Sequence, residues 1–229
     1  MSIPGIKALL FMKRHSERVP RKNMRDFCGR PLFHWIMDSL SQSKYVSEII
    51  INTDSEEIAK SAEENFKVTI HMRPEYLLKI TSNEAYQLMA YDLSITEGEY
   101  FLQTHSTNPL VRTETIDNAI LTFFEQNQHD SLISVTPLHK RFYWSDGRPI
   151  NHDPDALIKT QELPFVYEEN SCIYIFSRQV MKERKNRIGF YPQFFKMDTF
   201  ESVDIDEMFD FIIAESLMKE RIRTGSKIK

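Results

Sequence analysis

The sequence has little cysteine and no long apolar stretch, and both absences limit what the protein can be. Its two cysteines, Cys28 and Cys172, form no Cys-x-x-Cys pair. We therefore expect neither a disulfide framework nor a zinc site, and a reducing cytoplasm is the predicted location. No run of about 18 apolar residues occurs, and the first residues lack the pattern of a signal peptide, so no membrane segment is expected.

Basic residues are too few for a general nucleic-acid-binding protein. The formal net charge is −4, whereas such proteins carry a broad basic surface, so no nucleic-acid partner is expected. Glycine is missing between Ile6 and Gly29, so the Gly-x-Gly-x-x-Gly of a dinucleotide-binding dehydrogenase does not follow the first apolar run. Apolar residues make up 41% and charged residues 27%, which is the balance of an ordinary globular chain.

Short apolar segments alternate with amphipathic segments along most of the chain. Strands are predicted at 6–12, 49–51, 68–70, 100–104, 131–136, 171–176 and near Val203. Helices are predicted from Pro31 onward and at 55–65, 83–95, 114–127 and 207–221, the last with an apolar stripe of Phe209, Ile212, Ile213 and Leu217. This alternation predicts an α/β, Rossmann-like three-layer fold with a mostly parallel sheet, which binds ligands at the carboxyl ends of its strands.

The alternation stops between residues 137 and 169. This segment is rich in proline, aspartate and aromatic residues, including Phe142, Tyr143 and Trp144. It is either a surface loop or a dimerisation arm, because exposed aromatic residues are enriched at protein interfaces. We otherwise expect residues 1–229 to form a single domain.

The loop after the first strand is strongly basic. From Lys13 to Arg30 the chain carries seven basic and two acidic side chains, a local charge of +5 in a chain of net charge −4. The predicted fold places this loop where ligands bind. Clustered lysine and arginine beside free backbone N–H groups suit a polyphosphate, so we interpret the loop as a triphosphate-binding site rather than a solvated basic segment.

The same loop resembles the first motif of the N-acylneuraminate cytidylyltransferases, Ile-Pro-Ala-Arg-Gly-Gly-Ser-Lys-Arg-Ile-Pro-Arg-Lys-Asn. The residues in register are Ser16, Arg18, Pro20, Arg21, Lys22 and Asn23, followed by Gly29-Arg30-Pro31-Leu32 for Gly-Lys-Pro-Leu. Lys13 replaces an arginine, and Arg14-His15 replaces two glycines that let the backbone approach a triphosphate closely. These departures bring the efficiency of turnover into question.

Weaker matches follow along the chain. His71-Met72-Arg73-Pro74 and Thr81-Ser82-Asn83 resemble the family's Leu-Arg-Pro and serine-rich turn, which implies that Arg73 and Ser82 contact the nucleotide. Residues 102–110 resemble Leu-Gln-Pro-Thr-Ser-Pro-Leu-Arg, and either Gln103 or His105 takes the position of the family's glutamine, which implies that one of them binds the base. Residues 52–55 resemble Ser-Thr-Asp-Ser, but a helix cap accounts for them.

An Asp-x-Asp pair stands before the last predicted helix. In an extended segment Asp204 and Asp206 point to one face, and magnesium favours one or two carboxylates completed by phosphate oxygens and waters. Alternatively, Asp206 only caps the helix. The family carries its metal site at this motif, which implies that these two aspartates hold Mg²⁺. Residues 168–176 resemble the family's Glu-Asn-Gly-Ala-Ile-Tyr-Ile-Phe and support the fold.

The resemblance implies a cytidylyltransferase that converts CTP and a 2-keto-3-deoxy sugar acid into a CMP-sugar and pyrophosphate. As the implied catalytic residues, Lys13 and Lys22 would neutralise the triphosphate, and Asp206 would hold the metal ion that orients the phosphates. The implied substrate-binding residues are Arg14, Ser16, Arg18, Asn23, Arg73, Ser82, Gln103 and His105. Family precedent favours a homodimer. A CMP-Kdo-type synthetase and a catalytically impaired nucleotide-binding relative remain as alternatives, and the sequence does not identify the sugar.

Overall fold

The structure is a computed structural model that describes residues 3–81, 84–125 and 128–225. Over these residues, the strands are β1 (Ile6–Met12), β2 (Asp26–Phe27), β3 (Arg30–Pro31), β4 (Val46–Thr53), β5 (Thr69–Met72), β6 (Tyr100–Thr104), β7 (Ser131–Leu138), β8 (Val166–Ser177) and β9 (Pro192–Lys196). The α-helices are α1 (Phe33–Ser41), α2 (Glu56–Asn65), α3 (Tyr86–Ser94), α4 (Thr113–Glu125), α5 (Arg178–Arg184) and α6 (Met208–Thr224).

The central sheet has the strand order β5-β4-β1-β6-β8-β7-β9. Strands β5, β4, β1 and β6 run parallel to one another, β7 and β9 are parallel, and β8 is antiparallel to both of its neighbours. The predicted mostly parallel α/β sheet is therefore confirmed. Because β4 and β6 lie on opposite sides of β1, the loops after these parallel strands meet at one edge of the sheet.

Helices cover both faces of the sheet because alternate residues of each strand point to opposite sides. Leu10 and Ile51 face α1, α2 and α4 in the larger apolar core. Leu9 and Ile50 face α3 and α5 in a second core, where they pack with residues such as Met89. Both cores consist of side chains that are almost wholly buried.

The last helix packs on the β2–β3 hairpin rather than on the main sheet. Phe211 and Met218 of α6 are buried with Phe27 in a third apolar cluster. The apolar stripe predicted from the sequence is therefore largely exposed to solvent, since Phe209 is 69% and Ile212 is 56% exposed. Ile213 is also partly exposed, and Leu217 only flanks the cluster. The helix is apolar on both sides, and the side that carries Phe211 and Met218 faces inward.

Other predicted boundaries shift at short elements. Pro31 lies in β3, whose partner is β2, and α1 begins at Phe33. No strand forms at Val203, which lies in the loop before α6, whereas β9 and α5 were missed. The predicted start of the third helix at residue 83 lies outside the described residues, and α3 begins at Tyr86.

The 137–169 segment is partly sheet. Strand β7 continues to Leu138 and β8 begins at Val166, so the irregular part comprises residues 139–165. It contains an isolated bridge between Tyr143 and Pro149. Tyr143 is 53% and Trp144 is 58% exposed, as an aromatic surface segment requires. Among the helices described, none combines the length and the apolar character that a membrane-spanning helix needs.

Candidate active site at the carboxyl edge of the sheet

The basic loop is fastened to three neighbouring strand ends. The Arg14 backbone N–H donates to Asp54 Oδ1 at 2.7 Å, beyond the end of β4. Asn23 Nδ2 donates to the Lys13 carbonyl at 3.0 Å, and Ser106 Oγ, after β6, donates to Asn23 Oδ1 at 2.6 Å. Asn23 is 8% exposed, so it serves to shape the loop. The side chains of Lys13 and Arg14 remain exposed at its surface.

Lys22 lies beside the Asp-x-Asp motif. Its Nζ donates to the Ile205 carbonyl at 2.5 Å, between the two aspartates in sequence. Burial lowers the pKa of Lys22, and the nearby carboxylates of Asp206 and Asp204 oppose that shift. Arg18 Nη2 donates to Asp206 Oδ1 at 2.8 Å in a pair with both side chains exposed. The structure thus brings Lys22 close to both predicted metal ligands and pairs Arg18 with one of them, Asp206.

The two aspartates differ in their surroundings. Burial raises the pKa of Asp204, Asp206 raises it further, and Asn108 Nδ2 lies 3.3 Å from Asp204 Oδ1. Asp206 is exposed and does not cap α6, because Glu207 takes the N-cap position and forms a capping box with Asp210. The cap interpretation of Asp206 is therefore wrong, and its carboxylate pairs with Arg18 instead.

The aspartates suit a metal ion only if the substrate completes its coordination. Within residues 3–81, 84–125 and 128–225, no three histidine, cysteine or acidic side chains converge as a metal cluster. Two carboxylates are nonetheless the protein share of a typical Mg²⁺ site, in which phosphate oxygens and waters supply the remaining ligands. Burial and, to a smaller extent, the neighbouring Asp206 carboxylate raise the pKa of Asp204, and a bound cation would oppose that shift.

A first pocket, the Arg73 pocket, opens beyond β4 and β5. Its volume is about 380 Å³, and its lining includes Lys13, Asp54, Arg73, Thr81 and Leu88. Ser82, the other nucleotide contact predicted here, lies outside the described residues. The pocket has the size of a small-ligand site, with a cation at two points of its wall.

Arg73 is held by a buried hydrogen-bond network. Its Nε donates to Asn52 Oδ1 at 2.8 Å. Asn52 Nδ2 donates to Asp92 Oδ1 at 2.8 Å, and His71 Nδ1 lies 2.8 Å from the same oxygen. Arg73 is 8% exposed and Asp92 1%, so Arg73 is not a plain surface residue. Burial lowers the pKa of Arg73, while Asp54 and Asp92 oppose the shift.

A second pocket, the Gln103 pocket, lies over the face of the sheet that carries α3 and α5. Its volume is about 400 Å³, and its lining includes Phe11, Tyr86, Gln103, His105, Lys185 and Arg187. Both Gln103 and His105, which sequence reasoning left as alternatives, line it. Ala85 and Leu88 line this pocket and the Arg73 pocket, so the two adjoin.

The floor of the Gln103 pocket contains a buried polar atom without a partner in the described part of the chain, beside a contact of 3.5 Å between Gln103 Nε2 and His105 Nε2. Gln103 is 3% exposed, and its Oε1 has no hydrogen-bond partner among the described residues. Burial and the nearby charge of Arg187 lower the pKa of His105 to about 3, so its imidazole is neutral at neutral pH. A neutral imidazole offers one donor and one acceptor, and a ligand with several hydroxyl groups would satisfy both residues.

Some functional residues were missed, and one predicted residue stays apart. Ser16 is half-buried, and its side chain makes no hydrogen bond within the described part of the chain. Asp54 and Asn52 belong to a motif that a helix cap accounted for, yet Ser55 alone caps α2. Arg187 lies in no motif, and only the fold carries it to the pocket.

Comparisons with known proteins show the family to which the chain belongs. A family model described as Cytidylyltransferase matches residues 8–222. The chain is 29% identical over 216 residues to Post-translational flagellin modification protein B of Campylobacter coli, covering 90% of this chain and 92% of that protein. It is 28% identical over 229 residues to CMP-N,N'-diacetyllegionaminic acid synthase of Legionella pneumophila, covering 93% of this chain and 96% of that protein.

Two further similarities concern length and fold. The chain is 25% identical over 218 residues to N-acylneuraminate cytidylyltransferase A of Danio rerio, covering 92% of this chain and 50% of that protein, so it spans about half the length of that relative. A solved CMP:2-keto-3-deoxy-manno-octonic acid synthetase complexed with CTP has a TM-score of 0.69 at 12% identity, covering 95% of this chain and 99% of that one. This last likeness shows the shared fold.

Proposed function

We propose the function of this chain from its family. The chain belongs to the cytidylyltransferase family and is a nucleotidyltransferase. It transfers the CMP group of CTP to the anomeric hydroxyl of a 2-keto-3-deoxy sugar acid of the nonulosonate class and releases pyrophosphate. The observation that carries the proposal is the convergence of Lys22, Asp204 and Asp206 beside a basic loop. Two adjoining pockets, one for each substrate, open at the same edge of the sheet.

The reaction is a displacement at the α-phosphorus. An oxygen–phosphorus bond forms from the anomeric hydroxyl, its proton goes to solvent, and the bond to the pyrophosphate leaving group breaks. Such transfers depend on positioning and charge neutralisation rather than on covalent catalysis. Lys22 and Lys13 neutralise the triphosphate, with Arg14 and Arg18 at the exposed rim of the loop. Asn23 holds the loop in shape.

Magnesium fits this site through Asp204 and Asp206. When bound with the triphosphate, the ion would orient the phosphates and acidify the attacking hydroxyl. The Arg18–Asp206 pair is exposed and therefore weak, so it can open when a cation and phosphate compete for its partners.

The Arg73 pocket takes the nucleotide and the Gln103 pocket takes the sugar acid. Arg73, fixed by Asn52, supplies rigid donors for the base edge or ribose. Gln103 and His105 supply acceptor and donor groups that match sugar hydroxyls. The names of the relatives from Legionella and Danio rerio support a nonulosonic acid as the acceptor class. Support for a Kdo-type acid comes from the fold alone.

Pyrophosphate release tests the proposal. The assay contains CTP, Mg²⁺ and one acid from a panel of sialic, legionaminic, pseudaminic and Kdo acids, with wild type compared with Asp206→Ala. We expect release with at least one nonulosonic acid and loss of release in the variant. The exposed variant Asp146→Ala, which lies in the irregular segment, is the control and should match wild type. CTP binding without release for any acid would instead support the impaired relative, with Arg14-His15 as the first suspect.

We also propose that the protein is a homodimer located in the cytoplasm. Exposed Tyr143 and Trp144 of the 139–165 segment and exposed Phe209 and Ile212 of α6 supply apolar surface for a second copy. Unpaired Cys28 and Cys172 support a reducing compartment. Light scattering of the wild type at micromolar concentration should give twice the 27.1 kDa chain mass. The variant Trp144→Ser should shift the mass toward the monomer if the segment forms the interface.

A further inference from the structure

Arg187 is a cation in the wall of the Gln103 pocket that the mechanism above does not use. It follows α5 in the connection to β9, and it lines the pocket together with Gln103, His105 and Lys185. Its positive charge contributes to the low pKa of His105, so the guanidinium lies within electrostatic reach of that imidazole. Arg187 therefore faces the same space as the two residues assigned to the sugar.

The guanidinium of Arg187 lies over a buried aromatic ring. Its Cζ lies 3.4 Å from the centroid of the Tyr174 ring. Tyr174 is 0% exposed and stands on β8 directly opposite Gln103 of β6. The Tyr174 hydroxyl donates to Glu169 Oε1 at 2.5 Å, which fixes the ring. A guanidinium that lies over a ring can still present N–H groups of its planar fork to a carboxylate.

Arg187 forms no ion pair among the described residues, although the charge of Glu169 opposes the lowering of its pKa by burial. Among the ion pairs of residues 3–81, 84–125 and 128–225, Arg18 pairs with Asp206 and Arg21 pairs with Glu57, but no carboxylate lies within ion-pair distance of Arg187. Burial lowers the pKa of Arg187 despite Tyr174 and Glu169, so its charge is incompletely compensated, and an anionic group of a ligand would stabilise it. The unpartnered Gln103 Oε1 in the same pocket points to a polar ligand independently.

We propose that Arg187 binds the carboxylate of the sugar acid in a bidentate pair and that Tyr174 is the positioning residue that holds its guanidinium plane. The proposal rests on the proposed function. It makes Arg187 the residue that distinguishes a sugar acid from the corresponding neutral sugar. The hydroxyl groups of the acid then meet Gln103 and His105 at the floor of the pocket.

The test compares each sugar acid with its carboxamide, which is neutral at the same position. Initial rates of pyrophosphate release are measured with both forms of N-acetylneuraminic acid and N,N'-diacetyllegionaminic acid. We expect Arg187→Met to raise the KM for the acid about 10- to 100-fold, with the KM for CTP changed less than about twofold. The preference of wild type for acid over amide should fall to about threefold or less in Arg187→Met. The exposed neighbour Arg184→Met is the matched control and should keep the wild-type preference.

Two variants of the ring test the positioning role. Tyr174→Phe retains the stack and should keep the acid preference, whereas Tyr174→Leu should lose most of it while kcat with saturating acid stays within about threefold. Thermal unfolding and CTP titration of both variants show whether they fold and bind the nucleotide. If Tyr174→Leu does not fold, Arg187→Lys serves as the second test, because lysine keeps the charge but lacks the planar guanidinium. An unchanged KM for the acid in Arg187→Lys would contradict bidentate binding by Arg187.

The outcomes separate this proposal from the proposed function. Wild-type release with an acid, together with an unchanged acid-to-amide ratio in Arg187→Met, overturns the role of Arg187 alone. If the acid-to-amide ratio falls in Lys185→Met but not in Arg187→Met, the role of Arg187 is also overturned. The carboxylate is then assigned to Lys185. Absence of release by the wild type with every acid, despite CTP binding, contradicts both proposals.

Discussion

Replacing Lys22 by methionine tests the charge at the centre of the site. Methionine retains most of the unbranched side-chain length and removes the ammonium group that donates to the Ile205 carbonyl and faces Asp204 and Asp206. Removal of one group that stabilises developing charge typically costs about 3–4 kcal/mol, so kcat/KM should fall about 10²- to 10³-fold. Pyrophosphate release at varied CTP and saturating acid measures this loss.

The same change has a smaller expected effect on folding. The Ile205 carbonyl loses its donor, which costs about 1–3 kcal/mol, but the variant no longer buries an ammonium group. We therefore expect the free energy of unfolding to fall by about 2 kcal/mol or less in urea denaturation. Lys60→Met on α2, where the side chain is 77% exposed, is the control and should change neither quantity measurably. A folded Lys22→Met protein with kcat/KM within threefold of wild type would show that the Lys22 ammonium does not stabilise the transition state.

Three further predictions concern the buried polar groups around the site. Asp92→Asn should loosen the network that holds Arg73 and raise the Kd for CTP about 3- to 30-fold in calorimetric titration; an unchanged Kd would exclude this role. Burial and Arg187 lower the pKa of His105 from 6.5 to about 3, so the folded protein loses stability as the pH falls below 6.5. In urea denaturation, His105→Gln should reduce the loss of unfolding free energy between pH 7.5 and pH 5 by up to about 2 kcal/mol. Equal losses in the variant and the wild type would contradict this prediction. Glu201, which is 4% exposed, accepts hydrogen bonds from the backbone N–H and Nε of Arg112. Glu201→Gln should therefore lower the free energy of unfolding by about 2 kcal/mol and Tm by about 4–8 °C in calorimetry. A shift in Tm below 1 °C would show that the pair contributes little to stability.

The fold was largely predictable because its central strands are continuous apolar runs. Strands β1 and β6 are buried on both faces, and such runs, alternating with helical periods, admit few other arrangements. The short elements α5 and β9 have only seven and five residues, too few for a period to be recognised. Strand β9 also carries Phe194, which is 49% exposed, beside Phe195, which packs on the core, so its apolar residues show no clear alternation.

The last helix shows a limit of periodicity itself. Phe209, Ile212 and Ile213 have helical spacing, and so do Phe211 and Met218 on the other side. The pattern predicts a helix in both cases, but it does not show which side packs inward. That choice depends on the β2–β3 hairpin, which only the tertiary structure brings to α6.

The candidate site was predictable where its residues lie in contiguous motifs. Lys22 and Asp206 belong to two such motifs, and the structure places them together although they lie far apart in the chain. Asp92 and Arg187 belong to none. They reach the site because α3 and the segment after α5 pack on the same face of the sheet, which no local pattern encodes.

The most direct test of the central claim is ³¹P NMR of wild-type protein with CTP, Mg²⁺ and N,N'-diacetyllegionaminic or N-acetylneuraminic acid. The account predicts that the CTP resonances decline while pyrophosphate and a single new phosphodiester resonance grow in equal amounts. It also predicts that omission of either the acid or Mg²⁺ abolishes the change. Persistence of CTP with every nonulosonic acid, or release of pyrophosphate without a phosphodiester product, would contradict it.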